Sequence, residues 1–311
     1  MIADSQVKKN KRKSWVLMVS TFLLLSLVGG IISFIIFGES IAAVIFVLVV
    51  IFFATVLIYL GAPKLALRAT GAKKADPKVY RRLYNLVEGL TIASGLPMPT
   101  IHIVDNPSPN AFATGKSPDT AHIAVTTGLL QIMNRVELEG VLAHELSHVK
   151  NYDIRVQSIC MAMVGSITFL GDTFGRFFMY SGATGGSRNR SSSRNSDNSG
   201  GGFILLIAGL LLSVAAPMAA LLLKMSLSRE REYLADVSAI NMTRYPPGLI
   251  SALNKLKSDT SVMVGTPKAA AHLWIESPLP GKPSGTKANW LDSAFNTHPD
   301  LDSRIAILEQ L

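Results

Sequence analysis

The sequence predicts a mostly α-helical protein with a small β-sheet, an α+β fold combined with a multi-span helical membrane part. Three observations carry this prediction. Two long uncharged apolar runs, Trp15–Phe37 and Ile41–Leu60, stand near the N-terminus. Short segments of alternating or compact apolar character, separated by Pro- and Gly-rich turns, follow between residues 100 and 126. Apolar residues at helical spacing dominate most of the remainder.

Each N-terminal run is long enough to cross a hydrocarbon core of ~30 Å at 1.5 Å per residue. A signal peptide's apolar region spans only ~7–15 residues, so residues 1–60 are read as a basic tail and a retained two-helix anchor. Of the 311 residues, 49% are hydrophobic, and the formal net charge is +9. A basic block can signal nucleic-acid binding. Here Lys8, Lys9, Lys11, Arg12 and Lys13 abut the first span, so they are read as an orientation signal, with no nucleic-acid partner. The link Gly38-Glu39-Ser40 carries no Lys or Arg, and Lys64, Arg68, Lys73, Lys74 and Lys78 follow the second span. Basic, neutral, basic is the order expected for cytoplasm, outside, cytoplasm.

Residues 61–153 are expected to form the first half of a catalytic domain. Asp76-Pro77 starts a helix whose apolar face is Val79, Leu83, Leu86, Val87 and Leu90, and Gly95-Leu96-Pro97 ends it. Strands are expected at Thr100–Val104, Ala111–Thr114 and Ala121–Thr126. A helix then runs from Asn134 to about Tyr152, with Asn134 as cap and Glu137 in the capping-box position.

Residues 154–225 are read as two further membrane helices around a Gly/Ser/Asn/Arg-rich linker at 181–202. Phe203–Met225 is long enough to span; the run 154–171 is shorter and ends near Asp172. Residues 226–311 form the second half of the domain, helical with a polar loop near 276–290. The single cysteine, Cys160, lies in an apolar run, which excludes an intrachain disulfide and a Cys-based metal site.

The chemistry lies in His144-Glu145-Leu146-Ser147-His148. Residues i and i+4 share a helix face, so both imidazoles can converge on one zinc ion. Glu145, about 100° around the helix, can take a proton from water at the metal and pass it to a leaving amine. Chance alone produces His-Glu-x-x-His in roughly one chain per hundred of this length. The alternative is a pair of solvent-facing histidines, which the capped helix and the apolar Val136, Leu138, Val141 and Leu142 before the motif disfavour.

Zinc needs a third protein ligand and an open position. No further histidine follows at metzincin spacing, since 149–154 reads Val-Lys-Asn-Tyr-Asp-Ile. Glu232 is the preferred candidate, because Asp236 one turn later can accept a hydrogen bond from a ligand histidine. Arg229, Glu230 and Arg231 fit a solvated charged face. Ligands of one ion lie on one side of a membrane, so an even number of crossings must separate His148 from Glu232. This promotes 154–171 to a third span of four. Arg188, Arg190 and Arg194 against Asp197 in the outer linker run mildly against the positive-inside rule.

Together these residues resemble the M48 family of membrane metalloproteases, and within it the HtpX group. The resemblance rests on Asn110-Ala111-Phe112-Ala113-Thr114-Gly115, on 144–148 continuing to Asn151 and Asp153, on Glu232-Tyr233-Leu234-Ala235-Asp236, and on His298-Pro299 with Arg304-Ile305. It covers essentially the whole chain. It implies a zincin-type (gluzincin) domain with one Zn(2+) per chain, held by His144, His148 and Glu232, with Glu145 as base and acid. It implies an edge strand at Asn110, to which an extended peptide can add. Two readings of Asn110 stand: substrate positioning, or a turn cap after Pro107-Ser108-Pro109. His298 is either an oxyanion donor or a structural partner of Arg304. Asp236 is expected behind a ligand.

The expected function is a zinc endopeptidase in a bacterial plasma membrane, with its N-terminus and catalytic site cytoplasmic. The lipid bilayer and polypeptides, by resemblance misfolded or damaged membrane proteins, are its expected partners. A catalytically silent scaffold with the same fold is the alternative; intact Glu145 and Glu232 argue against it. A zinc transporter would want polar ligands within the spans, and the three long runs have none.

Overall fold

The structure, a computed structural model, describes residues 2–163, 229–259, 261, 263, 273–275 and 301–310. Two long helices open it: α1 (Ile2–Phe37) and α2 (Ile41–Ala69). Gly38, at φ +63°, turns the chain between them. The basic segment before Trp15 is the beginning of α1 rather than a separate tail. Lys and Arg are good helix formers, so nothing stops the helix short of the N-terminus.

The hairpin packs tightly at Gly29, where an added Cβ would come within 2.5 Å of Ile51 Cδ1. Away from that seam it is apolar and bare. Trp15, Leu23, Leu27 and Phe34 on α1, and Phe46, Phe53 and Leu57 on α2, are all exposed. Both helices are long and apolar enough to cross a membrane, and the apolar window of α2 has no buried residue. α2 continues past Leu60, through Pro63, to Ala69. Its last turns leave the apolar band and bury Ala66 and Leu67 with Val104, Phe112 and Ala124 of the sheet.

The sheet has four strands in the order β1-β2-β4-β3. They are β1 (Lys73–Lys74), β2 (Thr100–Val104), β3 (Ala111–Thr114) and β4 (His122–Thr126). β2 and β4 run parallel, with Ile101 opposite Ile123. β3 and β1 are antiparallel to their neighbours. Sequence reading located three strands and missed β1. Two exposed lysines have no pattern of their own, and β1 exists only because β2 offers a free edge. Ile101, Ile103, Ile123 and Val125 point into the main core with Leu83, Leu86, Val87 and Leu142.

α3 (Arg81–Ser94) begins later than Asp76-Pro77 suggests. The Asp76 carboxylate accepts from the Lys78 N–H at 2.8 Å and forms a turn first, leaving Val79 exposed rather than in the core. Gly95 ends α3 at φ +70°, the left-handed conformation that releases a helix C-terminus. α4 (Thr127–Ile132) is a single short helix capped by Thr126. α5 (Arg135–Lys150) begins with the expected capping box. Asn134 Oδ1 accepts from the Glu137 N–H at 3.0 Å, and Glu137 Oε2 accepts from the Asn134 N–H at 2.8 Å.

Residues 153–163 are helical, and Ile154, Val156, Ile159, Cys160 and Met163 among them are buried. The remainder of the expected third span, the linker 181–202, the expected fourth span and the 276–290 loop lie outside the described residues. α6 (Arg229–Thr243), α7 (Pro246–Ser258) and α8 (Leu301–Leu308) complete the domain. α5 is its axis, with α3, α6, α7 and β3 packed around it.

Candidate metal centre

Every residue of α5 from Gly140 to Val149 is buried. A helix enclosed on all sides should be apolar throughout, yet this one carries His144, Glu145, Ser147 and His148. Buried polar groups are costly without partners, so their partners define the site. Ser147 Oγ donates to Ala143 O at 2.8 Å, an ordinary helix-internal solution. The histidines are answered from elsewhere in the chain.

His144 Nδ1 lies 2.8 Å from Asp236 Oδ1 on α6. His148 Nδ1 lies 3.1 Å from Asp153 Oδ2, just past the end of α5. A carboxylate at Nδ1 holds the N–H there and leaves Nε2 as a lone pair. The two Nε2 atoms then face each other at 3.2 Å. Glu232 of α6 completes the group, with Oε2 at 3.6 Å from His144 Nε2 and Oε1 at 3.8 Å from His148 Nε2. One ligand atom from each residue lies within 4.8 Å of the other two. Two facing lone pairs beside a carboxylate repel each other unless a cation or a proton lies between them. Ligands ~2.0–2.1 Å from a tetrahedral zinc stand roughly 3.4 Å apart, close to the spacings found. The residues therefore fit zinc in donor type, number and separation.

The electrostatics agree. Burial lowers the basicity of His144, and Arg304 opposes its charge as well. The carboxylates of Asp236 and Glu232 more than reverse this, raising its pKa to about 9. For His148 burial again acts downward, while Glu232 and Asp153 raise its pKa above the usual imidazole value. A pocket that draws protons onto two buried imidazoles is a pocket that favours positive charge, and a metal ion competes for the same positions.

Both supporting aspartates are themselves held. Arg304 of α8, fully buried, donates from Nε to Asp236 Oδ2 at 2.8 Å and from Nη2 to Asp236 Oδ1 at 2.6 Å. Burial acts to raise the Asp236 pKa, but Arg304 and His144 outweigh it and the carboxyl stays ionised. Arg231 Nη1 donates to Asp153 Oδ1 at 3.3 Å. The charged-face reading of Arg231 is therefore corrected: the residue is 4% exposed. Its neighbour Glu232 points at the histidines while Arg231 reaches the aspartate behind one of them. Periodicity places Arg231 on a helix face but cannot tell which neighbour covers that face.

Glu145 is buried within α5, next in sequence to His144. Asn110 precedes β3 and is buried; its N–H donates to Thr126 Oγ1 at 2.8 Å and its side chain caps Ala111 N at 3.1 Å. His298 lies outside the described residues. Asn10 of α1 is a residue that sequence reading missed. It is fully buried and donates to Asp153 Oδ1 at 2.7 Å. A lone Asn in a basic segment carries no signal that could have marked it.

Residues 77–311 match the profile of Peptidase family M48. Over 306 residues the chain is 40% identical to a Dictyoglomus turgidum protein named Protease HtpX homolog, covering 98% of this chain and 93% of that one. A Streptococcus thermophilus protein of the same name is 38% identical, with 98% and 99% covered. Among solved structures, a crystal structure of S. mikatae Ste24p is similar at TM-score 0.49 and 19% identity, over 96% of this chain and 67% of that one.

Proposed function

The chain belongs to peptidase family M48, and from that premise we propose that it is a zinc endopeptidase embedded in a bacterial plasma membrane. Membership makes it a metalloprotease. Zinc is assigned from the donor set, and one observation carries the assignment. His144 and His148 turn their Nε2 atoms toward each other and toward Glu232, each with its Nδ1 fixed by an aspartate.

Bound there, zinc supplies Lewis acidity, lowering a water's pKa toward ~7 and polarising a scissile carbonyl. The protein's own groups do the rest. Asp236 and Asp153 hold the imidazoles in the tautomer that presents Nε2. Glu145 takes the proton of the attacking water and delivers it to the leaving amine. An extended substrate would add along β3, the edge strand of the sheet. In an antiparallel ladder whose bonded pairs include Asn110 with Thr126, Ala111 and Ala113 turn their backbone polar groups outward. The Ala111 carbonyl accepts from the Ile275 N–H at 3.0 Å, so among the described residues Ala113 is the proposed anchor for a peptide.

The exposed apolar band on α1 and α2 supports membrane insertion, and the flanking charges support a cytoplasmic N-terminus and site. By resemblance to the HtpX group, the proposed substrates are misfolded or damaged membrane proteins. The test compares wild type with Glu145→Gln, both purified in detergent, for bound zinc and casein cleavage. Both should hold about one zinc per chain, and the variant should lose ~10²–10⁴-fold in rate. Zinc in neither would reject the metal assignment. Full zinc with no cleavage by either would identify a silent scaffold.

A further inference from the structure

The side chain of Asn10 carries the first membrane helix to the metal centre. Asn10 of α1 is fully buried. Its Nδ2 donates to Asn151 O at 2.8 Å and to Asp153 Oδ1 at 2.7 Å. These two acceptors bracket the turn that follows α5. Within that turn Tyr152 has φ +61°, a conformation that non-glycine residues rarely adopt. The neighbouring Lys11 ammonium lies 4.5 Å from the centre of the Tyr152 ring. α1 therefore holds a strained turn from two successive positions. The turn aims Asp153, and Asp153 Oδ2 meets His148 Nδ1 at 3.1 Å.

A packing role does not explain Asn10. Among the described residues its buried Oδ1 has no hydrogen-bond partner, a cost that an apolar residue would avoid. What an apolar residue could not supply is the pair of N–H donors. Arg231 reaches the same Asp153 oxygen at 3.3 Å, longer than the Asn10 contact. Asp153 is thus braced by α1 and α6 together.

We propose that Asn10 is a positioning residue for the metal centre, orienting the His148 imidazole through Asp153 and so making metal affinity depend on the seating of the N-terminal membrane helix. This rests on the zinc-site reading above. The test uses full-length protein in detergent and measures zinc affinity by competition with a chromophoric chelator, without reference to activity. Asn10→Leu keeps the branched shape and the number of side-chain heavy atoms and does not lower helix propensity, but removes the donors. It should weaken zinc binding about 10-fold, the low end for groups that orient ligands. Ser14→Ala removes a buried hydroxyl one turn along, whose partner is the Asn10 carbonyl, and should leave affinity unchanged.

In an Asp153→Asn background the effect of Asn10→Leu should shrink to less than twofold, because the route to His148 is already cut. The visible absorption of the cobalt-substituted protein should shift in Asn10→Leu and stay as in wild type for Ser14→Ala; this readout stands if the double variant does not fold. An Asn10→Leu affinity within twofold of wild type, or an equal loss with Asp153→Asn present, overturns the proposal. Absence of zinc binding by wild type itself would instead defeat the underlying metal assignment.

Discussion

Each histidine of the site is backed by an aspartate, and each aspartate by a buried arginine: His144, Asp236 and Arg304 on one side, His148, Asp153 and Arg231 on the other. Buried ion pairs are weak sources of stability, because desolvation offsets their attraction. Their proposed use here is orientation of the two imidazoles. Asp236→Asn should therefore raise the zinc dissociation constant ~10–100-fold, since His144 loses its carboxylate and Arg304 its counter-charge. It should also lower unfolding stability by ~3–5 kcal/mol, as Arg304 is left buried and unpaired. Chelator competition and thermal unfolding measure the two effects. An unchanged zinc affinity would show that Asp236 does not orient His144. Asp236 was legible because it stands one turn after Glu232. Arg231 was not, because its partner is remote in sequence.

At the scale of elements, α5 must be both well started and closely packed. Glu137 closes the capping box, accepts from Ser251 Oγ at 2.7 Å and pairs with Lys255 Nζ at 2.7 Å, so it ties the start of α5 to α7. Glu137→Ala should cost ~1–2 kcal/mol at neutral pH, as cap losses do. Burial alone would raise the Glu137 pKa, but the bonds from Lys255, Ser251 and the Asn134 N–H prevail and lower it below 4.5. With the folded pKa below the unfolded one, its charge-dependent contribution is complete above about pH 4.5. It fades as the pH falls through the folded value. The difference in unfolding free energy between wild type and variant should shrink below that pH; a gap that widened on acidification would contradict the assignment.

The packing itself turns on Gly140. A Cβ there would lie 2.9 Å from Leu249 Cα and N on α7, and both are backbone atoms. Ala favours a helix over Gly by ~1 kcal/mol. Gly140→Ala should nonetheless destabilise by ~1–3 kcal/mol, because α7 has to move. Denaturant unfolding that showed a gain would mean the two helices separate freely.

Across the whole molecule, the exposed apolar hairpin and the buried helix α5 belong to one structure, because the end of α2 packs on the sheet and the start of α1 reaches the turn after α5. The proposed orientation can be read by cysteine labelling. The one native thiol, Cys160, is 1% exposed and gives little background. Glu39→Cys should react with an impermeant maleimide applied to cells from outside, whereas Lys78→Cys should react only after permeabilisation. The reverse pattern would invert the topology.

What the sequence alone determined are the features written in local periodicity. The two apolar helices, the capping box at Asn134 and Glu137, the i, i+4 spacing of His144 with His148 and of Glu232 with Asp236, and three of four strands all follow from contacts within a few residues. Only the tertiary structure decided which remote groups meet. It buried Arg231 against Asp153, paired β1 with β2 and drew Asn10 to the turn at Tyr152. These contacts join residues far apart in the chain, so no repeat or spacing encodes them. They form because buried polar groups must find partners wherever the packed helices leave them.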